Sequence, residues 1–325
     1  MERPTYIPSL SGLLHAFFQI GAWGLVFVTL FSFLDSFFWL ADLLGNLRIQ
    51  YSLASLLLLA TSLCLRRQLW ALVGTALLLL NLAPIGLSLL PNSSTQVPPQ
   101  SSAPLKVLVL NVLTQNRNSQ AVKNYLLQEN PDVIALIEVD ETWARQLREF
   151  SRAWPYQIAE LRPDNFGIWI LSRHPFSEAD ILHDPLTRIP SLRVRLAHPP
   201  SLVIFATHPL PPMTPHQSHL RNRHLDQVAN WVREETHPVI LLTDLNATPW
   251  THGYRRFTQA SGLSAFLFER SLRPSYSHNS PLFGIPIDFI MARGVQLRNF
   301  RIGPDVGSDH LGLSAQVFFP LPPPP

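Results

Sequence analysis

Charge is absent from long stretches of this chain, and that restricts its fold more than any motif does. From Pro4 to Leu34 no residue is formally charged, and Ile49–Leu65 and Gln68–Leu105 are uncharged as well. Only Asp35, Asp42, Arg48 and the Arg66-Arg67 pair break these runs. A helix needs about 20 apolar residues, within a range near 17–25, to cross a bilayer. The spacing therefore predicts three transmembrane helices, at 12–34, 49–65 and 69–90. Three such segments in succession fit poorly with core helices of a soluble protein. Charged residues make up 14% of the 325, well below the roughly 25% of an ordinary soluble domain. The first segment lacks a basic leader followed by a small-residue cleavage site, so it is expected to remain as an anchor.

Basic loops favour the cytoplasmic side of a membrane. Arg66-Arg67 marks the most basic short loop, which places it inside, the 35–48 loop outside, and everything after residue 90 on the outer face. This predicts an integral protein of the plasma or inner membrane with an extracytoplasmic domain. The single cysteine, Cys64, falls in the second predicted span. The outer domain then has no disulfide, and at over 200 residues it is large enough to build a core without one. The net charge of +3 comes mostly from Arg, with Lys only at 106 and 123. That balance suits an anionic substrate or surface without identifying one.

Residues 91–104, PNSSTQVPPQSSAP, read as a flexible linker, and 320–325, PLPPPP, as an extended tail. Between them, strand patterns occur at 105–112, 132–139, 166–172, 191–197, 201–208, 239–244, 287–292 and 312–319. Helical patterns occur at 117–129, 141–150 and 215–235, the last with Leu220, Leu225, Val228 and Val232 at helical spacing. Strands mixed irregularly with helices predict a layered α/β or α+β domain over 105–319.

Several of these strands finish on polar residues that a strand does not need. Asn111 ends the first, Glu138 the second, Thr207-His208 another, and Asp244 with Asn246 the run VILLTDLN. Residues i and i+2 of a strand share a face, so Asp244 and Asn246 project together. Asp288 interrupts the apolar run IDFI, and Ser308-Asp309-His310 precede the last strand. Each alone is open to a plain reading as a turn residue, helix cap or core histidine. Together they are harder to dismiss, because carboxylates within apolar runs are costly unless paired or bound to a metal.

In order and approximate spacing, Asn111, Glu138 in LIEV, ILSRHPF, Thr207-His208, TDLNATP, IDFI and SDH resemble the endonuclease/exonuclease/phosphatase superfamily. This is the group of exonuclease III-like enzymes, deoxyribonucleases, neutral sphingomyelinases and inositol-polyphosphate 5-phosphatases. The resemblance implies an α/β fold: a four-layered α/β sandwich of two mixed β-sheets flanked by helices, with the site at one sheet edge. It implies a hydrolase using Mg²⁺, with Mn²⁺ as a substitute. Such a cation is held by one or two carboxylates and offsets charge on phosphoryl oxygens. Glu138 would be the main metal ligand, joined by Asn111 and Asp309. Asp244 and Asn246 would orient the attacking water, Asp288 would orient His310, and His208 would sit near the scissile phosphate. Asn111, Asn246 and Arg173 would contact substrate, Arg173 having an equal claim to a structural ion pair. His216, His219, Arg221 and Arg223 are expected on a solvated helix face. Where some repair-type members carry an Asp two residues after the first-strand Asn, this chain has Leu113, which weakens a two-metal repair reading.

The Pro-rich THPLPPM loop and the triple-span anchor resemble the membrane-bound members associated with glycopeptide resistance. That likeness points to a polyprenyl pyrophosphate or another phospholipid at the bilayer surface. Two alternatives stay open: a membrane-tethered nuclease acting on DNA or RNA, and a catalytically silent module that binds an anionic ligand. The oligomeric state is not specified by the sequence.

Overall fold

The computed structural model describes residues 9–90, 104–197, 200–265, 272–280 and 282–319. The predicted linker, apart from Pro104, and the predicted tail lie outside the described residues. The chain divides into two compact units, Met1–Leu87 and Ser88–Pro325.

The first unit is helical: α1 (Leu10–Phe31), α2 (Trp39–Gly45), α3 (Arg48–Cys64) and α4 (Gln68–Ser88, its last residue lying beyond the unit boundary). Two segments, Leu10–Leu34 and Gln68–Ser88, are long and apolar enough to cross a membrane. The middle prediction is only partly met. α3 has 17 residues, about 25 Å at 1.5 Å per residue, short of the roughly 30 Å hydrocarbon core. It reaches a third span only if joined to α2, from which it bends by 69°. Asp42 and Arg48, expected in an outer loop, are instead 3% and 2% exposed. Arg48 donates to Asn81 Oδ1 and to the Ser32 carbonyl, both at 3.4 Å, and lies over the Phe33 ring. Satisfying polar groups from within is how a helical unit tolerates them away from water.

The second unit contains β1 (Leu105–Asn111), α5 (Ser119–Glu129), β2 (Val133–Ile137), α6 (Glu141–Leu147), β3 (Tyr156–Glu160), β4 (Ile168–Ser172), β5 (Phe176–His183), β6 (Pro190–Leu196), β7 (Leu202–Thr207), α7 (Pro215–Glu234), β8 (Val239–Asp244), α8 (His252–Ser261), β9 (Asp288–Arg293), β10 (Gln296–Ile302) and β11 (Leu313–Phe318). One sheet runs β10-β11-β1-β2-β4-β3 and the other β5-β6-β7-β8-β9. The pairs β1–β2 and β7–β8 are parallel and the rest antiparallel.

Alternation along the strands builds the layers. Val107 and Val109 of β1 face a core shared with Ile204, Ile240 and Leu242 of the other sheet. Leu108 and Leu110 turn the opposite way, into a second core with Val122 and Leu126 of α5 and Trp143 of α6. In the other sheet Phe205 and Leu241 pack on Leu225, Val228 and Val232 of α7 and on Phe257 of α8. Helix, sheet, sheet, helix is the four-layered sandwich that was expected. The central strands are buried on both faces, which is why they read as unbroken apolar runs.

Candidate active site

Strand direction and register gather the polar residues at one edge of the sandwich. Asn111 is the last residue of β1, and β1 pairs in parallel with β2, so Glu138 follows directly beside it. In the other sheet, parallel pairing of β7 and β8 brings Thr207 opposite Thr243, and Asp244 faces Asp288 at the start of antiparallel β9.

The local chain at Glu138 is sharply bent. Its φ is 64°, a left-handed conformation uncommon for a residue with a side chain. Thr114 holds this bend: its hydroxyl donates to the Glu138 carbonyl at 3.0 Å and its amide to Oε2 at 3.3 Å. The next residue, Val139, is bonded through both backbone groups, to Gly167 and Arg162. Asn111 then links the two sheets, donating from Nδ2 to Glu138 Oε1 at 2.8 Å and to Asp244 Oδ2 at 3.3 Å.

Asp244 is the hub. Its Oδ1 accepts from the Asn246 amide at 3.0 Å, and its Oδ2 lies 3.3 Å from His208 Nε2 and 3.6 Å from His310 Nε2. Burial pushes the Asp244 carboxyl up, but His310 and His208 outweigh it and hold the group down to about 2. Asp244 is therefore a carboxylate at any physiological pH. Burial disfavours the charged form of His208, yet Asp244 raises it above its ordinary value. Its Nδ1 donates to the Asn165 carbonyl at 3.1 Å, which turns Nε2 toward Asp244 and the Asn246 side-chain amide.

His310 is oriented by Asp288, whose Oδ2 lies 2.8 Å from Nδ1. Burial opposes the imidazolium, but Asp288 and Asp244 raise His310 to about 10, so it keeps its proton at neutral pH. Asp288 itself is raised, mainly by burial, with His310 pulling it back. Ser308 seats this segment, donating to the Asn111 carbonyl at 2.8 Å and accepting from the His310 amide at 3.1 Å.

Asn111, Glu138, His208, Asp244, Asn246, Asp288 and His310 thus form one connected cluster. Arg173 does not join it. It follows β4, and register pairs Ser172 with Val133 at the start of β2, the end remote from Glu138. There Arg173 donates to Asn130 Oδ1 at 2.5 Å and lies over the Trp154 ring. Of the two readings the sequence left open for Arg173, these contacts are those of a structural residue.

A sequence profile of the Endonuclease/Exonuclease/phosphatase family matches residues 108–310. This chain belongs to that family. No curated protein matches it. Among solved structures, TDP2 of D. rerio complexed with single strand DNA product superposes with a TM-score of 0.58 at 17% identity, covering 66% of this chain and 99% of that one. Sphingomyelinase C from Streptomyces griseocarneus gives 0.52 at 15% identity over 66% and 99%. An endonuclease/exonuclease/phosphatase from Beutenbergia cavernae gives 0.55 at 18% over 67% and 72%. At these identities the likeness is one of fold.

Members of the Endonuclease/Exonuclease/phosphatase family are in general divalent-metal-dependent hydrolases of phosphoesters, and the donor set here fits such a cation. Carboxylate oxygens of Glu138 and Asp244 meet at the Asn111 side-chain nitrogen, and carboxylates are the hard ligands that Mg²⁺ and Mn²⁺ prefer. Asp309 adds a further sign: its Oδ1 is buried with no hydrogen-bond partner. Asp244, Asp288 and His310 also present ligand atoms within 4.8 Å of one another. Within this group Asp288 and His310 are also hydrogen-bonded to each other.

Sequence reasoning missed Tyr276. Its ring centroid lies 4.9 Å from that of His310, and burial together with Asp309, Asp244 and Glu138 raises its hydroxyl. It stands in no recognisable motif. Phe166, with its ring 5.4 Å from His208, was missed for the same reason.

Proposed function

We propose that this protein is a membrane-anchored, divalent-metal-dependent phosphoesterase acting by in-line attack of water, with a lipid-linked pyrophosphate as its preferred substrate class. The observation that carries the reading is the meeting of Asn111, Glu138, Asp244 and the Asp288–His310 pair at one sandwich edge. A bound Mg²⁺ would neutralise charge on the phosphoryl oxygens, and Glu138, Asn111 and Asp309 would hold it. Asp244, held as a carboxylate, would orient the attacking water by accepting its hydrogen bond. The Asn246 amide supports the same phosphoryl group. His310, held cationic by Asp288, stabilises charge that develops on the phosphoryl oxygens. Asp244 favours the charged form of His208, which would assist the leaving oxygen.

The apolar helices are what favour a lipid substrate, since they would keep the site near a bilayer, on the outer face by the placement of Arg66-Arg67. A nuclease is the second reading, favoured by the likeness to TDP2 complexed with a single strand DNA product. Hydrolysis by the purified full-length protein with Mg²⁺ tests both, read as phosphate release from a lipid and as strand cleavage of nucleic acid. A polyprenyl pyrophosphate in detergent is compared with single- and double-stranded DNA, with Asp244→Ala as the blank. Release from the lipid alone supports the proposal; cleavage of DNA with the lipid untouched replaces it with the nuclease reading.

A further inference from the structure

Arg221 was expected on a solvated face of α7, beside His216, His219 and Arg223. Those three do sit outward or at the surface, whereas Arg221 is 0% exposed. A fully buried guanidinium needs several hydrogen bonds to be tolerated. Arg221 has them: Nη1 donates to the Asn246 carbonyl at 3.2 Å, and Nη2 and Nε donate to Asn222 Oδ1 at 2.8 and 3.2 Å. The surrounding chain leaves space for it. A Cβ added at Gly253 would come within 3.1 Å of Nη2.

The carbonyl that Arg221 grips belongs to a turn residue. Asn246 has a φ of 51°, a left-handed conformation that Asn adopts more readily than other residues with a side chain. Two further bonds fix the same residue: its amide donates to Asp244 Oδ1 at 3.0 Å and its side-chain nitrogen to the Pro209 carbonyl at 3.0 Å, while His208 Nε2 lies 3.2 Å from that nitrogen. The first of these is also what aims the Asp244 carboxylate. From this geometry we infer that Arg221 is a positioning residue for the proposed phosphoesterase site. By holding the Asn246 carbonyl from behind, it keeps the Asn246 side chain and the Asp244 carboxylate directed at one phosphoryl group. The inference rests on the proposed reaction, but the positioning itself does not require turnover to be seen.

Two readouts test it on the full-length protein. The first is hydrogen–deuterium exchange over 244–252 in wild type, Arg221→Met and Arg221→Lys. Arg221→Met should raise exchange of the Asn246 amide while α7 stays protected, and Arg221→Lys should restore part of the protection. The second is hydrolysis of bis(4-nitrophenyl) phosphate with Mg²⁺. Displacement by about 1 Å can cost on the order of 100-fold in rate, so Arg221→Met should lower kcat by about that factor with KM little changed. In an Asn246→Gly background, which removes the side chain that Arg221 would position, the Arg221→Met loss should shrink to a few-fold. Unchanged exchange at Asn246, or an undiminished Arg221→Met loss in Asn246→Gly, would overturn the inference and leave Arg221 as a packing residue. Wild-type inactivity combined with the predicted exchange pattern would instead count against the proposed reaction while upholding the positioning role.

Discussion

Asp288 Oδ2 and His310 Nδ1 stand 2.8 Å apart, both side chains buried, one at the start of β9 and the other ahead of β11. The bond joins the two sheets and sets the charge of the imidazole. Asp288→Asn removes the charge while nearly keeping the shape. The imidazole should then titrate well below about 10, readable by NMR of the ring protons, and turnover should fall by about 10²–10⁴-fold.

The same pair makes a stability prediction with a definite sign. His310 is raised from an ordinary 6.5 to about 10 in the folded protein. Its contribution is therefore full below pH 6.5 and is lost as the pH rises through 10. In EDTA-treated protein, Asp288→Asn should destabilise markedly at pH 6 and much less at pH 10. Urea unfolding at the two pH values measures the difference, and an equal effect at both would argue against a charged His310.

Glu138 holds its carboxylate toward Asn111 on a left-handed residue. Glu138→Gln keeps the bend and the contact to Thr114 but removes the charge. Mg²⁺ binding by calorimetry should weaken at least tenfold, while the melting temperature in EDTA changes little.

Gly167 leaves no space for a side chain, because a Cβ there would come within 1.9 Å of the Val139 carbonyl oxygen. Gly167→Ala should force β4 away from the residue that follows Glu138. The expected cost is at least 1–3 kcal/mol, in the range of an overpacked core, together with loss of turnover. Thermal unfolding and activity of the same preparation check both.

The central strands were readable because burial on both faces leaves long apolar runs, as in VLVLN and VILLTD. The strands that went unread are β3, β5 and β10, and all three lie at sheet edges. Edge strands carry charge and exposed positions, as in FSEADILH and QLRNFRI, which blunts both their pattern and their tendency to pair with other chains. The site shows the same division. Asp244, Glu138 and Asp288 stood out as carboxylates in apolar surroundings. Arg221 did not, since its burial depends on the Asn246 turn coming to meet α7, a tertiary fact with no local pattern. Arg173 misled because its neighbours Ser172 and His174 say nothing of which end of the sheet they occupy.

The number of crossings decides which side of the bilayer the domain faces. With Cys64→Ser and a single cysteine introduced at Ser94, a membrane-impermeant maleimide added to intact cells should label the protein if three crossings are made. Labelling only after lysis would mean that the bent α2–α3 pair does not cross.

The most direct test of the account is hydrolysis of bis(4-nitrophenyl) phosphate by the full-length protein in detergent, with Mg²⁺, with EDTA, and with Asp244→Asn. The account predicts turnover that needs Mg²⁺, disappears in EDTA and falls about 10³-fold in Asp244→Asn. Turnover that survives EDTA, or that is indifferent to Asp244, would contradict it.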